Sequence, residues 1–176
     1  PEAGTVATYD SEADDGSFSF HLDPLTFAGT YTFTVIQTAP DATGGTVETF
    51  NVTVTPGEPK TIVFGAARET VAVGADGTTV FGIYDAHMNL ITADLRTDIL
   101  ATMVPDDANV VRRAFSSDPD VGASFGPLRV TRDDATGKYA LAYNVPVAGT
   151  YTVASVSVAG AAIDAEQAFT LVASPG

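Results

Sequence analysis

Apolar and polar residues alternate with a period of two along most of this 176-residue chain. The alternating runs are rich in Val, Thr, Phe, Tyr and Ile, which suit the half-buried face of a pleated sheet. Turn-forming sequences rich in Gly, Pro and Asp separate the runs. The pattern also predicts one helical turn or a short connector at residues 89–98. It predicts strands at residues 5–9, 17–23, 30–38, 46–55, 60–64, 69–73, 78–84, 99–104, 110–115, 128–132, 138–145, 150–158 and 167–172.

One five-residue sequence, Ala-Gly-Thr-Tyr-Thr, occurs twice, at residues 28–32 and 148–152. Each copy follows an alternating strand that begins after a glycine and reaches a proline. Downstream, residues 50–57 and 169–176 both begin with Phe and end with Pro-Gly. The offset is 120 residues at the pentapeptide (148 − 28) and 119 at the Pro-Gly (175 − 56). Because self-similarity at a fixed period marks a repeat architecture, the chain is predicted to contain two copies of one building block.

The repeat predicts how the domains are organised. Residues 58–176 would form one complete repeat of 119 residues (176 − 57), and residues 1–57 the C-terminal half of a preceding repeat. We therefore expect a piece of a longer array, whose first part lacks opening strands and has a marginal core. The predicted fold class is all-β: an antiparallel immunoglobulin-like β-sandwich, as a tandem repeat with the first copy truncated. A closed barrel would fit the number of strands, but sandwiches with termini at opposite ends join into rods.

Tyr31 and Tyr151 occupy the same place in the two copies. A tyrosine after a tight glycine turn usually packs its ring in the core and hydrogen-bonds its hydroxyl to the backbone. We therefore expect both tyrosines to be structural. Gly29 and Gly149 are expected to supply a positive φ at these turns.

Composition excludes several functional classes. The chain has 22 Asp and Glu against 8 Lys and Arg, a formal charge of −14, which disfavours binding to nucleic acid and to anionic membrane surfaces. It has no cysteine and two histidines, so disulfide, thiolate and most metal or triad chemistry is disfavoured. Residues 140–163, the longest apolar stretch, are interrupted by polar residues, Pro and Gly, and no signal peptide is visible. We expect no enzyme activity, no cofactor and no small-molecule ligand.

Asn51-Val52-Thr53 is a sequon for N-glycosylation. With Phe50, Val52 and Val54 on the inward face of their strand, Asn51 and Thr53 point outward, where a glycan has room. Asn51 is therefore a candidate glycosylation site if the protein is secreted.

Clustered carboxylates in turns could bind calcium, but the sequence has no twelve-residue loop closed by Glu, and solvated turns are the favoured interpretation. No metal site is therefore predicted. His21 and His87 are expected at the surface or in a loop, and Arg112-Arg113 on a solvated edge. The acidic turns considered are Asp14-Asp15, Asp106-Asp107, Asp118 with Asp120, and Asp133-Asp134.

Residues 137–172 resemble the second half of a filamin-type immunoglobulin-like repeat. The shared pattern is a glycine, an aromatic alternating strand, a proline, Ala-Gly-x-Tyr, a hairpin and a last strand opened by Phe169. Residues 80–86 resemble the second strand of that family, which ends in Asp-Ala. Bacterial invasin-like immunoglobulin repeats share much of this pattern and are the near alternative. The chain departs from the filamin pattern before Phe169, where Ser-Pro is missing, and in a longer middle segment, residues 105–127.

The resemblance implies that an exposed edge of the middle strands receives a partner peptide as an added strand. The positions it implies for this peptide edge are Ile99, Ala101, Met103 and Val130. The implied partners are other proteins or neighbouring repeats of the same chain.

Two functions follow from these observations. The first is a non-enzymatic structural or adhesion module, a fragment of a longer rod of tandem immunoglobulin-like repeats that provides spacing and protein contacts. The alternative is a ligand-binding β-sandwich for carbohydrate or for a peptide by strand addition; the chain has no tryptophan to form a sugar platform, for which Tyr9, Tyr84 and Phe115 would be substitutes. The expected location is extracellular or at the cell surface, with a cytoskeletal or ciliary location as the alternative.

Overall fold

The computed structural model describes residues 7–12, 18–37, 46–95, 99–106 and 128–176. The chain divides into two compact units, Pro1–Thr55 and Pro56–Gly176. All regular structure within the described residues is β-strand, and none of it is helix.

The first unit contains two antiparallel hairpins. One pairs β1 with β2, and the other pairs β3 with β4. Within the described residues they are two separate two-stranded sheets. The strands are β1 (Ala7–Glu12), β2 (Phe18–Leu22), β3 (Gly29–Gln37) and β4 (Thr46–Val54).

The second unit is built from nine strands. Its connected path runs β10–β11–β7–β5–β13–β12–β8, with β6 paired to β13 and β9 to β12. The strands are β5 (Thr61–Phe64), β6 (Arg68–Ala72), β7 (Asp76–Tyr84), β8 (Ile99–Ala101), β9 (Val104–Pro105), β10 (Arg129–Arg132), β11 (Tyr139–Asn144), β12 (Gly149–Val158) and β13 (Ala161–Ser174).

The path forms two layers, and β5 joins them. β5 runs antiparallel to β7 in the first layer and meets β13 of the second layer in parallel at the pair Ile62 and Ala165. The first layer thus has the order of immunoglobulin strands A, B, E and D, and the second contains C, F and G with β6 added beside G. This arrangement confirms the predicted all-β immunoglobulin-like sandwich.

Aromatic rings from both layers fill the space between them. The Phe64 ring of β5 lies 5.5 Å from the Phe169 ring of β13, and Phe169 lies 6.0 Å from the Tyr143 ring of β11. Burial of these large apolar surfaces supplies most of the favourable free energy of folding. The largest fully buried side chains are Tyr139, Tyr151, Phe81, Phe169, Ile62, Ile83, Met103, Leu141, Leu171, Val145 and Val153.

Tyr143 also links the layers through its polar end. Its ring covers Gly77 on the neighbouring strand β7, where an added Cβ would lie 2.2 Å from the ring, so no larger residue fits opposite Tyr143. Its hydroxyl donates a hydrogen bond to the Glu69 carboxylate on β6 of the other layer. Burial, together with this carboxylate, raises the pKa of Tyr143, so the phenol stays protonated and remains the donor.

Several strand boundaries differ from the predicted ones. β13 begins at Ala161, six residues earlier than predicted, because a two-residue turn at Ala159 and Gly160 leads directly into it. The predicted strand 99–104 is divided into β8 and β9. The predicted strand 110–115 lies outside the described residues.

The connector after β7 is extended along the sandwich and contains no helical turn over the described residues 89–95. The Ile91 amide donates to the Ile83 carbonyl at 2.8 Å. Further along, the buried Tyr139 hydroxyl donates to the Ala93 carbonyl and accepts from the Leu95 amide, both at 3.0 Å. The described residues of this segment therefore form a short connector and not a helical turn.

Candidate interaction surfaces

The two copies of Ala-Gly-Thr-Tyr-Thr form the same local structure. In the first unit the Tyr31 hydroxyl donates to the Phe27 carbonyl at 2.8 Å, and in the second the Tyr151 hydroxyl donates to the Val147 carbonyl at 2.6 Å. Each tyrosine thus bonds to the backbone four residues earlier, the arrangement of a tyrosine corner. The predicted glycine conformation is wrong for Gly149, whose φ is not positive; at Gly29, φ is 157°, at the margin of extended backbone.

The hairpins that carry these tyrosines pair in the same register from Gly29 to Phe33 in the first unit and from Gly149 to Val153 in the second. Beyond Val153 the register of β12–β13 shifts, whereas that of β3–β4 stays constant. Tyr31 lies opposite Val52, and Tyr151 lies opposite Leu171. The first residues of these pairs differ by 120 (151 − 31) and the second by 119 (171 − 52), the offsets of the sequence repeat. β3–β4 is therefore the counterpart of β12–β13.

The hairpins that precede them also correspond. Thr8 pairs with His21 in the first unit, and Arg129 pairs with Ala142 in the second. Each residue of the second pair lies 121 positions after its equivalent in the first pair (129 − 8 and 142 − 21). β1–β2 thus shares the register of β10–β11 at this pair, although β1–β2 has a register shift between Tyr9 and Ser11 that β10–β11 lacks.

The equivalent inward positions differ in burial between the units. Phe169 of β13 is fully buried, but its counterpart Phe50 of β4 is 46% exposed. Tyr151 is fully buried, while Tyr31 is only half-buried. We call the first-unit surface formed by Tyr31, Phe33, Phe50 and Val52 the hairpin face. Its Phe33 and Phe50 rings stack with centroids 5.2 Å apart; Phe33 is half-buried and Phe50 is exposed.

The opposite surface of the same hairpin is polar. Asn51 is exposed, and its side-chain oxygen accepts a hydrogen bond from the Thr32 hydroxyl at 2.8 Å. The Thr30 and Thr53 hydroxyls lie 3.5 Å apart beside it. Both residues of the sequon that carry its chemistry, Asn51 and Thr53, are on this exposed surface. Glycosylation of Asn51 stays a prediction.

Most positions assigned to the peptide edge have side chains in the core. Ile99, Ala101 and Met103 are 5%, 0% and 0% exposed, and Val130 of β10 is half-buried. The Ala101 carbonyl already accepts a hydrogen bond from the Leu128 amide at 2.9 Å, which connects the two end strands β8 and β10. An added peptide would therefore have to use backbone groups and displace Leu128 at this point. Strand addition here remains a prediction.

A buried carboxylate organises the turn after β7. The side chain of Asp85, which is 4% exposed, accepts hydrogen bonds from the amides of Gly57, His87 and Asn89 and from the Asn89 side chain, at 2.8–2.9 Å. These hydrogen bonds hold the pKa of Asp85 well below its usual value. The Asn89 side-chain amide has the largest effect, and the Gly57 backbone amide the next largest. Asp85 thus fixes both its own turn and the segment that enters the second unit.

The sequence did not reveal this role of Asp85. The resemblance pointed to Asp85-Ala86 as a strand end, but the donors come from two segments 28 residues apart. One signal was available: an Asp-x-x-x-Asn sequence directly after a buried strand is suited to a side-chain-stabilised turn.

Within the described part of the chain, the carboxylates of the acidic turns accept hydrogen bonds from other groups of the protein. Asp133 accepts from the Thr136 hydroxyl at 2.7 Å and the Ala135 amide at 3.0 Å, and these contacts, the hydroxyl first, lower its pKa. Asp106 accepts from the Thr152 hydroxyl at 2.7 Å. Across the described ranges, no cluster of three or more His, Asp or Glu side chains could hold a metal ion.

His21 and His87 are both exposed. The remaining residues considered for calcium or for a basic surface lie outside the described residues: Asp14, Asp15, Asp107, Asp118, Asp120, Arg112 and Arg113. In the part of the chain that the structure describes, no helix is long and apolar enough to cross a membrane.

No protein-family model matches the chain, and no curated protein matches it by sequence. Among solved structures, it is similar to FdeC, an adhesin of Escherichia coli, with 16% identity and a TM-score of 0.52 over 99% of this chain and 51% of that one. InvD of Yersinia pseudotuberculosis gives 18% identity and a TM-score of 0.48 over 100% and 49%. Domains 1–6 of the surface layer protein SbsC give 16% and 0.38 over 98% and 19%.

The chain therefore spans about half the length of the FdeC and InvD chains. At this level of identity the likeness to FdeC shows a shared fold.

Proposed function

We propose that this chain is a non-enzymatic structural or adhesion module from a longer array of tandem immunoglobulin-like repeats at a cell surface. The observation that carries the proposal is the repeated pair of hairpins, with equal register around Tyr31 and Tyr151 and the same tyrosine-to-carbonyl hydrogen bond in both units. Among the described residues the second unit has nine strands and the first has four, which supports residues 1–57 as the C-terminal half of one repeat and residues 58–176 as a complete one.

The geometry of the second unit suits a spacer. β6 pairs with β13 in parallel, from Arg68 with Thr170 to Ala72 with Ser174. β5, the first strand of the unit, also pairs with β13 in parallel. The first and last strands therefore run in the same direction, and the chain enters at one end and leaves at the other. A repeat with this property adds its own length to an array. The negative charge of the chain keeps such modules soluble and mutually repelling.

The choice between the two repeat types rests on the fold likeness. FdeC, described as an Escherichia coli adhesin, supports the invasin-like alternative and an extracellular location. No family model of the filamin type or of any other type matches the sequence. Contact with other proteins or with neighbouring repeats is the activity proposed for such a module.

Two measurements test this function. Antibodies against the chain are expected to label intact, unpermeabilised producing cells, and labelling only after permeabilisation would contradict the surface location. Small-angle scattering is expected to give an elongated particle, since both units belong to a linear array. A compact spherical particle would contradict the array.

A further inference from the structure

We infer that a groove beside the start of β13 receives an extended, positively charged peptide segment as an added strand. The groove lies between residues 58–61 and residues 161–165 and has a volume of about 700 Å³. We call it the β13 groove, and both of its sides belong to the second unit. Its occupant would be one of the protein partners proposed above, so the inference rests on that function.

The β13 groove forms because β5 and β13 separate. The two strands meet at a single pair, Ile62 and Ala165. Before Ile62 the chain follows the first layer, where the Lys60 amide donates to the Tyr84 carbonyl at 2.8 Å. Before Ala165, residues 161–164 stay in the second layer and pair with β12. Residues 161–164 therefore have a strand on one side and the groove on the other.

The turn between β12 and β13 determines which backbone groups of β13 face the groove. Ala159 and Gly160 have φ of 50° and 84°. Two consecutive positive values are typical of a type I′ turn, which closes a two-residue hairpin. The flanking residues, Val158 and Ala161, lie opposite each other. In such a hairpin this first pair exchanges both of its backbone hydrogen bonds, so its groups point toward the partner strand.

Ala162 and Asp164 form the open edge of β13. Along an antiparallel ladder, pairs that exchange both hydrogen bonds alternate with pairs whose backbone groups point outward. Ala162 and Asp164 belong to the outward pairs, and the Asp164 carbonyl accordingly accepts a hydrogen bond from the Thr61 hydroxyl at 3.4 Å. Within the described residues no second strand pairs with Ala162. Its amide and carbonyl are therefore placed to pair with an added strand.

The side chains along the groove indicate the chemistry of the occupant. Val158 and Ile163, which are 4% and 7% exposed, give it an apolar wall. Glu58, Lys60 and Asp164 are exposed along its rim, two carboxylates against one ammonium group, in a chain of charge −14. An extended peptide presents its side chains alternately to its two faces. A segment with small apolar residues on one face and Lys or Arg on the other complements both features.

A fluorescein-labelled peptide of alternating valine and lysine is the probe, added to the whole chain. Fluorescence anisotropy measures its affinity, and amide hydrogen exchange followed by NMR locates it. In the free chain the amides of Ala162 and Asp164 should exchange quickly, whereas those of Ala161 and Ile163, which point toward β12, should exchange slowly. The bound peptide should slow the exchange of Ala162 and Asp164 by about tenfold or more.

Three variants of the peptide separate its backbone from its charge. Replacing lysine by glutamate should abolish binding, because the rim of the groove is acidic. Two further peptides carry N-methyl groups on either the valine or the lysine amides. Since only one edge of an added strand faces β13, one of these two should bind about tenfold more weakly and the other nearly unchanged.

Variants of the protein identify the groove as the site. Ala162→Pro removes the outward amide of β13 and should weaken binding about tenfold, whereas the matched change Thr70→Pro, on the edge strand β6, should not. Asp164→Lys should weaken the valine–lysine peptide and allow the glutamate peptide to bind. Asp76→Lys, the same charge change at the far end of β7, should do neither. The unfolding transition measured by circular dichroism shows that each variant is folded.

No binding of the valine–lysine peptide, equal losses with both N-methylated peptides, or equal affinities of Ala162→Pro and Thr70→Pro would overturn the inference. Protection of Ala162 in the free chain that grows with protein concentration would overturn it too, because the occupant would then be a second copy. If the peptide fails while antibodies still label intact cells and scattering still gives an elongated particle, the groove inference alone is lost.

Discussion

Three residues of the second unit have an unfavourable backbone conformation or an unfavourable side-chain environment. Ala159, in the turn between β12 and β13, has φ of 50°, and Met88, after Asp85, has φ of 62°. Residues other than Gly, Asn and Asp rarely adopt this left-handed conformation. Thr79 is 2% exposed, and among the described residues its hydroxyl has no hydrogen-bond partner. These positions are where single substitutions should raise stability.

Ala159→Asn should increase the free energy of unfolding by about 0.5–1 kcal/mol. Asn followed by Gly160 is the preferred pair for a two-residue hairpin turn with positive φ at both positions. Chemical denaturation monitored by circular dichroism measures the change. Ala161→Asn, one residue inside β13, is the control and should not stabilise the protein.

Thr79→Val should also stabilise the protein, by about 1 kcal/mol, because it replaces a buried hydroxyl that lacks a partner by a methyl group of similar size. The matched change is Thr78→Val at the exposed neighbouring position, which should leave the free energy of unfolding nearly unchanged. A loss of stability in the first variant would show that the Thr79 hydroxyl has a partner in solution.

At the scale of elements, the tyrosine corner and the Asp85 turn fix how strands begin and end. Both use one side chain to satisfy backbone groups several residues away. A buried backbone group that loses its partner costs more than the average hydrogen bond contributes. Such elements are therefore sensitive to small chemical changes.

Tyr151→Phe should lower the free energy of unfolding of the second unit by about 1–2 kcal/mol, because it leaves the Val147 carbonyl without its donor. The same change at the other copy, Tyr31→Phe, should cost the second unit nothing. Denaturant titration of both variants compares the two. Equal losses in the transition of the second unit would contradict the independence of the two corners.

Acid should weaken the protein partly through Asp85. Its pKa is lowered on folding from an ordinary value of 3.8, so the carboxylate stabilises the folded state above that pH. This contribution is lost as the pH falls below the ordinary value, because the unfolded chain then binds the proton first. Unfolding midpoints measured from neutral to acidic pH should fall less steeply in Asp85→Asn than in the natural chain. Asp164→Asn, at an exposed position of β13, should keep the natural slope.

The sandwich could be predicted from sequence because period-two alternation and the offset repeat both constrain which face of each strand is buried. The early start of β13 could not, because Ala161-Ala162-Ile163-Asp164 has no strong strand signal and is held by pairing with β12. The Asp85 contacts depend on a distant amide, that of Gly57. The exposure of Phe50 became clear only beside its buried counterpart.

For the whole molecule, the chain combines a nine-stranded sandwich with a unit whose described residues form two hairpins. In the second unit the core lies between two layers, and rings from both layers contact each other. In the first unit the equivalent aromatic surface is partly open to solvent. Stability should therefore be concentrated in the second unit, since apolar burial scales with the number of layers that enclose it.

The parallel pairing of β6 with β13 has a mechanical consequence. When the ends of the second unit are pulled apart, these two strands are drawn in opposite directions along their length. The force then acts in shear on all five residue pairs at once. The pairs cannot open one after another, as they would if the strands were peeled apart. The pairing would act as a clamp that keeps the sandwich closed under tension.

Single-molecule stretching can measure this resistance. The Val73 amide donates to the Ser174 carbonyl, so alternation along β6 directs the Val71 amide to β13 as well. Val71→Pro removes that donor and should lower the unfolding force, whereas Thr70→Pro, whose amide points away, should change it much less. Equal forces would contradict the clamp. A strand pair of this kind would let the sandwich bear a load along the chain without unravelling.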